Sequence, residues 1–209
     1  MSGYVKLPSP RTSGDQSFEE ILLKRRTRRD FQKSSLSKAE ISQILWAAYG
    51  LKEPERGKPQ TGKAVRTCPS AGALFPLEIY LIAGDIFDIS SGFYHFIPDE
   101  HALELIHDKD LREDLYKYAY SREMIRTAPA SLVYIAIESR VLDRFGERGR
   151  QRYIPMDIGH SAQNVYLQAE ALGLGTCAIG AFDDEGLTRV LDLPAEEIPM
   201  YIMPVGYPV

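Results

Sequence analysis

Apolar positions recur along this chain in two periods, and the clearest stretch lies between Met156 and Phe182. Ile158, Ala162, Val165, Ala169 and Leu172 fall at spacings of three and four, which puts one apolar stripe on a helix over 157–172. Ala162, Ala169 and Ala171 are small enough for a second helix to approach closely. Gly173 ends the helix, because a residue in the left-handed region costs least as glycine. Thr176 to Phe182 follows as a short apolar run and predicts a strand. Two interpretations fit this spacing. One is a core helix, a glycine cap and a core strand; the other is a backbone kept bare at Gly180–Ala181 for a flat ligand.

The same two periods order the rest of the chain. Residues 1–16 are polar and predict an arm, either loose or laid on a partner. Ser17 with Glu20, and Ser37 with Glu40, are capping boxes that open two helices. Phe18, Ile21 and Leu22 make the buried face of the first; Ile41, Ile44, Leu45 and Ala48 make that of the second, which Gly50 closes. Residues 51–67 carry Arg56, Lys58, Lys63, Arg66 and two prolines, and predict a surface loop able to act as a lid. Strands are predicted at 77–83, where Leu77, Ile79 and Leu81 alternate, then at 92–97, 102–106, 131–137 and 200–205. A helix with Leu111, Leu115 and Tyr118 on one face separates the third strand from the fourth, and 140–149 reads as a short helix and a charged loop. Asp183 caps a helix bearing Leu187, Val190 and Leu191, which Pro194 stops. Strands separated by helical blocks, with no repeat or linker, predict one α+β or α/β domain over 17–209: a mixed sheet under helices.

Composition narrows the partners. Net charge is −4 over 209 residues, which gives no electrostatic case for nucleic acid or an anionic membrane. Cys68 and Cys177 are too far apart for metal spacing, and two reduced thiols suit a cytoplasmic protein. The N-terminal stretch has no apolar core of a signal peptide, and no run reaches the roughly 18 apolar residues of a membrane helix.

The first helix runs straight into Lys24-Arg25-Arg26-Thr27-Arg28-Arg29. Such runs are usually a solvated face. Here, however, the run is bounded by Leu22–Leu23 and Phe31, and it carries a hydroxyl among guanidinium groups, which together suit a phosphate. Pro69-Ser70-Ala71-Gly72-Ala73-Leu74-Phe75-Pro76 is a turn of small residues leading into a strand.

Taken together, RRTRRDF at 25–31, PSAGALFPLEIYL at 69–81 and DIGHSAQNVYLQAEALGLGTCAIGAF at 157–182 resemble the nitroreductase family of FMN enzymes. The narrower resemblance is to its SagB-type branch, the thiazoline/oxazoline dehydrogenase-like proteins, with which GFYHF at 92–96 also agrees. The resemblance covers nearly the whole chain from about Ser17. It implies an α+β fold with a mixed sheet flanked by helices, and an intertwined homodimer with an FMN at each end of the interface. It implies that Arg25 and Thr27 hold the FMN phosphate, and that Arg29 lies beside the pyrimidine edge, where a cation favours reduced flavin. Pro69, Ser70, Ala71 and Gly72 would lie along the ring and ribityl from the other subunit, and the Gly180–Ala181 backbone would reach flavin N5. Arg26 and Arg28 fall outside that set as surface charges. The implied activity passes hydride from NAD(P)H, as co-substrate, through FMN to a nitroaromatic or quinone. Dehydrogenation of an azoline ring in a peptide-derived product is the alternative, and a non-catalytic flavin-binding or docking protein is a third.

Two departures stand out. Ala73 replaces the asparagine many nitroreductases have there, and the chain ends Val205-Gly206-Tyr207-Pro208-Val209 with no Lys or Arg for the phosphate. Arg66, Arg148, Arg150 and Arg152 are the candidates to replace that cation. His160 suggests a proton donor but suits a polar helix face better. Cys177, in an apolar strand with no cation expected nearby, suits inert packing. His95, His101 and His107 make no metal set, and neither a Rossmann nor a P-loop glycine pattern is present.

Overall fold

The computed structural model describes residues 3–52 and 65–209. Seven strands form one sheet: β1 (Tyr4–Lys6), β2 (Leu77–Ala83), β3 (Gly92–Ile97), β4 (Ala102–His107), β5 (Ala130–Ile137), β6 (Gly175–Thr176) and β7 (Glu197–Gly206), in the order β1-β4-β3-β2-β5-β7-β6. Every neighbouring pair is antiparallel, where a mixed sheet was expected. The reason lies in one insertion. β6 runs the same way as β5, as a helical crossover requires, but β7 fills the space between them and pairs antiparallel with both.

Alternation along β2 builds two cores. Leu77, Ile79, Leu81 and Ala83 face one helical layer, and Tyr80 and Ile82 face the other. The first layer holds α1 (Phe18–Lys24), α2 (Lys38–Tyr49) and α6 (Ile154–Ala171); the second holds α3 (Arg112–Tyr118), α4 (Glu123–Thr127) and α7 (Asp184–Val190). α5 (Ser139–Phe145) leads into a π-helical turn, Gly149–Tyr153, where a charged loop was expected, and α4 had no signal in the sequence beyond five residues around Ile125.

Local chemistry explains the helix ends. Both capping boxes form: Ser17 and Ser37 accept from the backbones of Glu20 and Glu40, whose side chains return the bond. Asp183 caps α7 through Gly186 N–H at 3.1 Å. Gly50 closes α2 with φ −68°, so its need is space rather than a left-handed turn: a Cβ there would lie 2.4 Å from the Trp46 ring. Gly173, at φ +72°, follows α6 as expected, and Leu174 N–H returns to Ala169 O at 2.8 Å.

The arm is neither loose nor waiting for a partner. Tyr4–Lys6 pairs with β4, Leu7 is buried, and Ser42 donates to Pro8 O at 2.5 Å. It thereby covers a sheet edge. α1 departs the other way: Ile21 is only half-buried, and Phe18, Leu22 and Leu23 are exposed, Leu23 at 84%. The stripe of α6 packs inward, with Ile158, Ala162, Val165 and Ala169 in the core of the chain itself, so Ala162 and Ala169 do not face a second subunit. Its outward face carries Met156, Gly159, His160 and Gln163. Most of the expected lid, residues 53–64, lies outside the described residues; its ends are pinned together by Lys52 N–H to Val65 O (2.8 Å) and Thr67 N–H to Gly50 O (2.9 Å).

Candidate functional site

After α1 the chain turns at Arg25 (φ −52°, ψ 125°) and runs extended beside residues 175–177. Arg28 N–H donates to Thr176 O at 2.9 Å. Gly175 permits this approach, because a Cβ there would lie 2.6 Å from Arg28 Cβ. An extended run alternates its side chains, so Arg25, Thr27 and Arg29 share one side. Arg25 and Thr27 meet Tyr166 of α6. The Arg25 guanidinium lies 5.4 Å over the Tyr166 ring, and Thr27 Oγ1 is 3.3 Å from Tyr166 Oη. That same oxygen accepts from Ala178 N–H at 2.9 Å. Tyr166 thus joins the Arg-rich segment to the stretch before Gly180, a role the sequence reading missed. Its only sequence signal is a hydroxyl-bearing ring on the helix's less apolar flank.

Arg26 and Arg29 are exposed, but Arg28 is half-buried, its stem against Gly175; it is not the surface charge expected. Among the described residues, none of Arg25, Arg26, Arg28 and Arg29 has a carboxylate partner within ion-pair distance. On the side that Arg25, Thr27 and Arg29 share, two cations with no such partner among the described residues suit an anion.

The expected strand over 176–182 shortens to Gly175–Thr176 and one further bridge, in which Ile179 and Ile202 exchange N–H···O bonds of 2.9 Å. Gly180 and Ala181 then leave the sheet and are exposed. A Cβ on Gly180 would meet only the Tyr201 ring, at an ordinary 3.5 Å. The chain's own packing does not require that glycine. Cys177 lies beneath. Burial pushes its thiol up to about 11, against the pull of Arg29 and Arg122. Cations do lie near it, contrary to expectation, but burial wins and the thiol stays protonated.

Pro69, Ser70, Ala71 and Gly72 lie elsewhere. They enter a one-turn 3₁₀ helix, Ala71–Ala73, that sits on the other end of α6, where Ser70 and Ala71 lie against the Asp157 carboxyl. Burial raises the Asp157 carboxyl above its ordinary range, more than those two neighbours and the charge of His160 lower it. Asp157 and Tyr166 are nine residues apart, about 13 Å along a helix. One chain therefore brings Arg25, Thr27 and Arg29 together with 178–181, and holds 69–72 apart from them.

The candidates for the missing phosphate cation sort by contact. Arg66 stacks on Tyr49 and Phe75, at 4.4 and 5.3 Å, beside the 69–75 turn, and Arg150 is taken by Glu138 at 2.8 Å. The C-terminal residues fold back on the Arg-rich segment, with Gln32 N–H to Tyr207 O (2.9 Å) and Val209 N–H to Asp30 O (3.1 Å). His160 is exposed on α6. The described residues contain no cluster fit for a metal ion and no helix long and apolar enough to cross a membrane.

The fold and much of the sequence are shared with known proteins. The chain is 41% identical over 188 residues to a protein of Methanocaldococcus jannaschii named as a nitroreductase, covering 90% of this chain and 89% of that one. A crystal structure from Ralstonia eutropha, also named as a nitroreductase, superposes with a TM-score of 0.81 at 26% identity, over 99% of this chain and 90% of the other. The microcin B17-processing protein McbC of Escherichia coli is more distant, at 25% identity over 82% of this chain and 62% of its own length. The sequence model of the nitroreductase family matches residues 22–207, a span that holds Arg25, Tyr166, Gly180 and the whole sheet but for β1. The chain belongs to the nitroreductase family.

Proposed function

We propose that this protein is an FMN-dependent oxidoreductase that works as a homodimer, taking hydride from NAD(P)H and passing it to an oxidised acceptor in two half-reactions. The observation that carries this reading is the convergence of Arg25, Thr27 and Ala178 on Tyr166, with no carboxylate among the described residues within ion-pair distance of the cations. The residues fit the group: a fork donor and a hydroxyl suit a phosphate, and bare exposed backbone at Gly180–Ala181 suits a planar ring. The chemistry supplied when FMN is bound is hydride exchange at N5, with a nitroaromatic or quinone as acceptor.

The chain's own part is binding, orientation and charge. Arg25 and Thr27 hold the phosphate, and Tyr166 fixes both against 178–181. Arg29 supplies positive charge at the pyrimidine edge, where negative charge develops on reduction. The backbone of Gly180–Ala181 faces N5 without a side chain to hold the ring away. Pro69, Ser70, Ala71 and Gly72 come from the partner subunit, because α6 separates them from Tyr166 within one chain. Two further observations support the dimer. Phe18, Leu22 and Leu23 leave an apolar face on α1, and an open groove of about 320 Å³ beside it is lined by Ile21, Trp46, Leu167 and Ala171.

The purified protein should be yellow or turn yellow with added FMN, and NADH or NADPH without oxygen should bleach it. A colourless protein that refuses FMN overturns the proposal. The similarity to McbC favours a second reading, dehydrogenation of an azoline ring in a peptide-derived product. Bound flavin that neither nicotinamide bleaches would select it.

A further inference from the structure

The turn after Pro69 is held in a shape that its own residues resist. Gly72, Ala73 and Phe75 have φ of 62°, 51° and 48°. Two of them carry a Cβ, and such residues enter the left-handed region only when their surroundings impose it. One restraint is internal: Phe75 N–H donates to Ser70 Oγ at 2.9 Å. The other comes from α6, where the buried Asp157 carboxyl lies against Ser70 and Ala71, both of which favour its ionised form. Asp157 thus faces one end of the turn, and the Ser70–Phe75 bond closes the strained residues between them.

Asp157 is an odd choice if filling space were its task. It is 2% exposed, and its Oδ2 has no partner among the described residues. A buried acceptor left unsatisfied costs stability, and an apolar residue would avoid that cost. What an apolar residue could not do is attract two polar groups of the turn at once. Arg144 adds a weaker tie, Nη1 to Gly72 O at 3.4 Å, from the exposed side.

We propose that Asp157 is a positioning residue for flavin binding: it clamps the 69–75 turn that its own subunit presents to the partner's FMN. The flavin role rests on the functional reading above; the clamp does not. Because Asp157 sits in the first turn of α6, the helix that carries Tyr166 at its other end also sets the geometry of both halves of the site.

The test uses the full chain as wild type, D157A, D157N, S70A and the S70A/D157A double variant. In flavin-free protein, amide exchange at Ala71 and Phe75 should quicken about tenfold in D157A, with the β-sheet unchanged. The FMN dissociation constant should rise about tenfold in D157A, and S70A should add little to it, because both act through one contact. D157N keeps one acceptor oxygen and the side-chain volume, so it should recover part of both effects. The visible circular dichroism of bound flavin should shift in D157A, which a general loss of stability does not produce. Uniform acceleration of exchange across α6 and the sheet, additive losses and an unmoved flavin spectrum would overturn the clamp. A wild-type chain that binds no FMN would sink the functional reading instead, and exchange at Ala71 would still report on the clamp.

Discussion

The two ends of α6 solve the same problem with opposite materials. At the Tyr166 end, extended backbone runs beside 175–177, the side chains above it include cations, and those cations have no carboxylate partner among the described residues. At the Asp157 end, a tight turn is bent into left-handed conformations, the small residues are neutral, and the charge is a buried acid beneath it. The first end keeps its charge facing outward, ready to meet an anion. The second uses its charge inward, on its own backbone. The lesson is that the direction a charged group faces decides its use: among the described residues Arg25 has no carboxylate partner, whereas the Asp157 carboxyl is turned onto Ser70 and Ala71.

The largest expected effect comes from separating the two ends. L22E/L23E places two carboxylates on the uncovered α1 face, where the chain's own core loses nothing. Light scattering should show a monomer, and FMN affinity should fall about a hundredfold, since on the proposed reading the 69–72 turn comes from a partner. A monomer that holds flavin as tightly as wild type would refute the division of the site between subunits. Next is R25A, which should weaken FMN binding by about thirtyfold, the loss of a charge-assisted phosphate contact. R28A should do the reverse. Its stem packs on Gly175, so melting should report about 1 kcal/mol lost while flavin affinity barely moves. Equal losses of flavin in both would overturn the assignment.

Much of this was legible in the sequence. The capping boxes at Ser17 and Ser37, the alternation of Leu77, Ile79 and Leu81, and the glycine after α6 are local signals, and each appears in the fold. Arg25 and Thr27, which the motif singles out, both meet Tyr166. What was not readable depends on contacts between distant segments. Gly180 lies just past the last bridge to β7, Ile179 to Ile202, and Arg28 loses its freedom to Gly175, nearly 150 residues away. The inward turn of Ala162 and Ala169 needed the position of the sheet, since a stripe of small residues does not say which neighbour covers it. Tyr166 was missed for the same reason: a tyrosine on a helix becomes a junction only when two other segments reach it.

Two smaller changes probe the Tyr166 end from either side. G180A should leave folding intact, because the one added carbon meets only Tyr201 at ordinary contact distance, and should cut turnover about tenfold by holding the flavin off the backbone. Unchanged turnover would remove Gly180 from the site. Y166F deletes the acceptor of Ala178 N–H and the neighbour of Thr27, so stability should fall by about 1–2 kcal/mol and FMN affinity by about threefold. A stability loss alone would make Tyr166 purely a brace.

The smallest effect sharpens the contrast in charge. Arginine keeps its proton at every pH the fold survives, so the Tyr166 end should be silent to pH through Arg25. The Asp157 end should not be. Burial raises the Asp157 carboxyl in the folded chain above its unfolded value, so the folded state prefers the protonated form. Its contribution to stability is then fully present below the unfolded carboxylate value of about 3.9 and is lost as pH rises through the folded one. D157N cannot ionise and escapes that loss. Denaturation of the flavin-free wild type and D157N across the acid range should show the difference moving in the variant's favour as pH rises, whereas R25A should run parallel to wild type. A D157N difference flat with pH would mean that the folded chain binds the ionised acid as readily as water does, and the two ends of α6 would then differ in geometry alone.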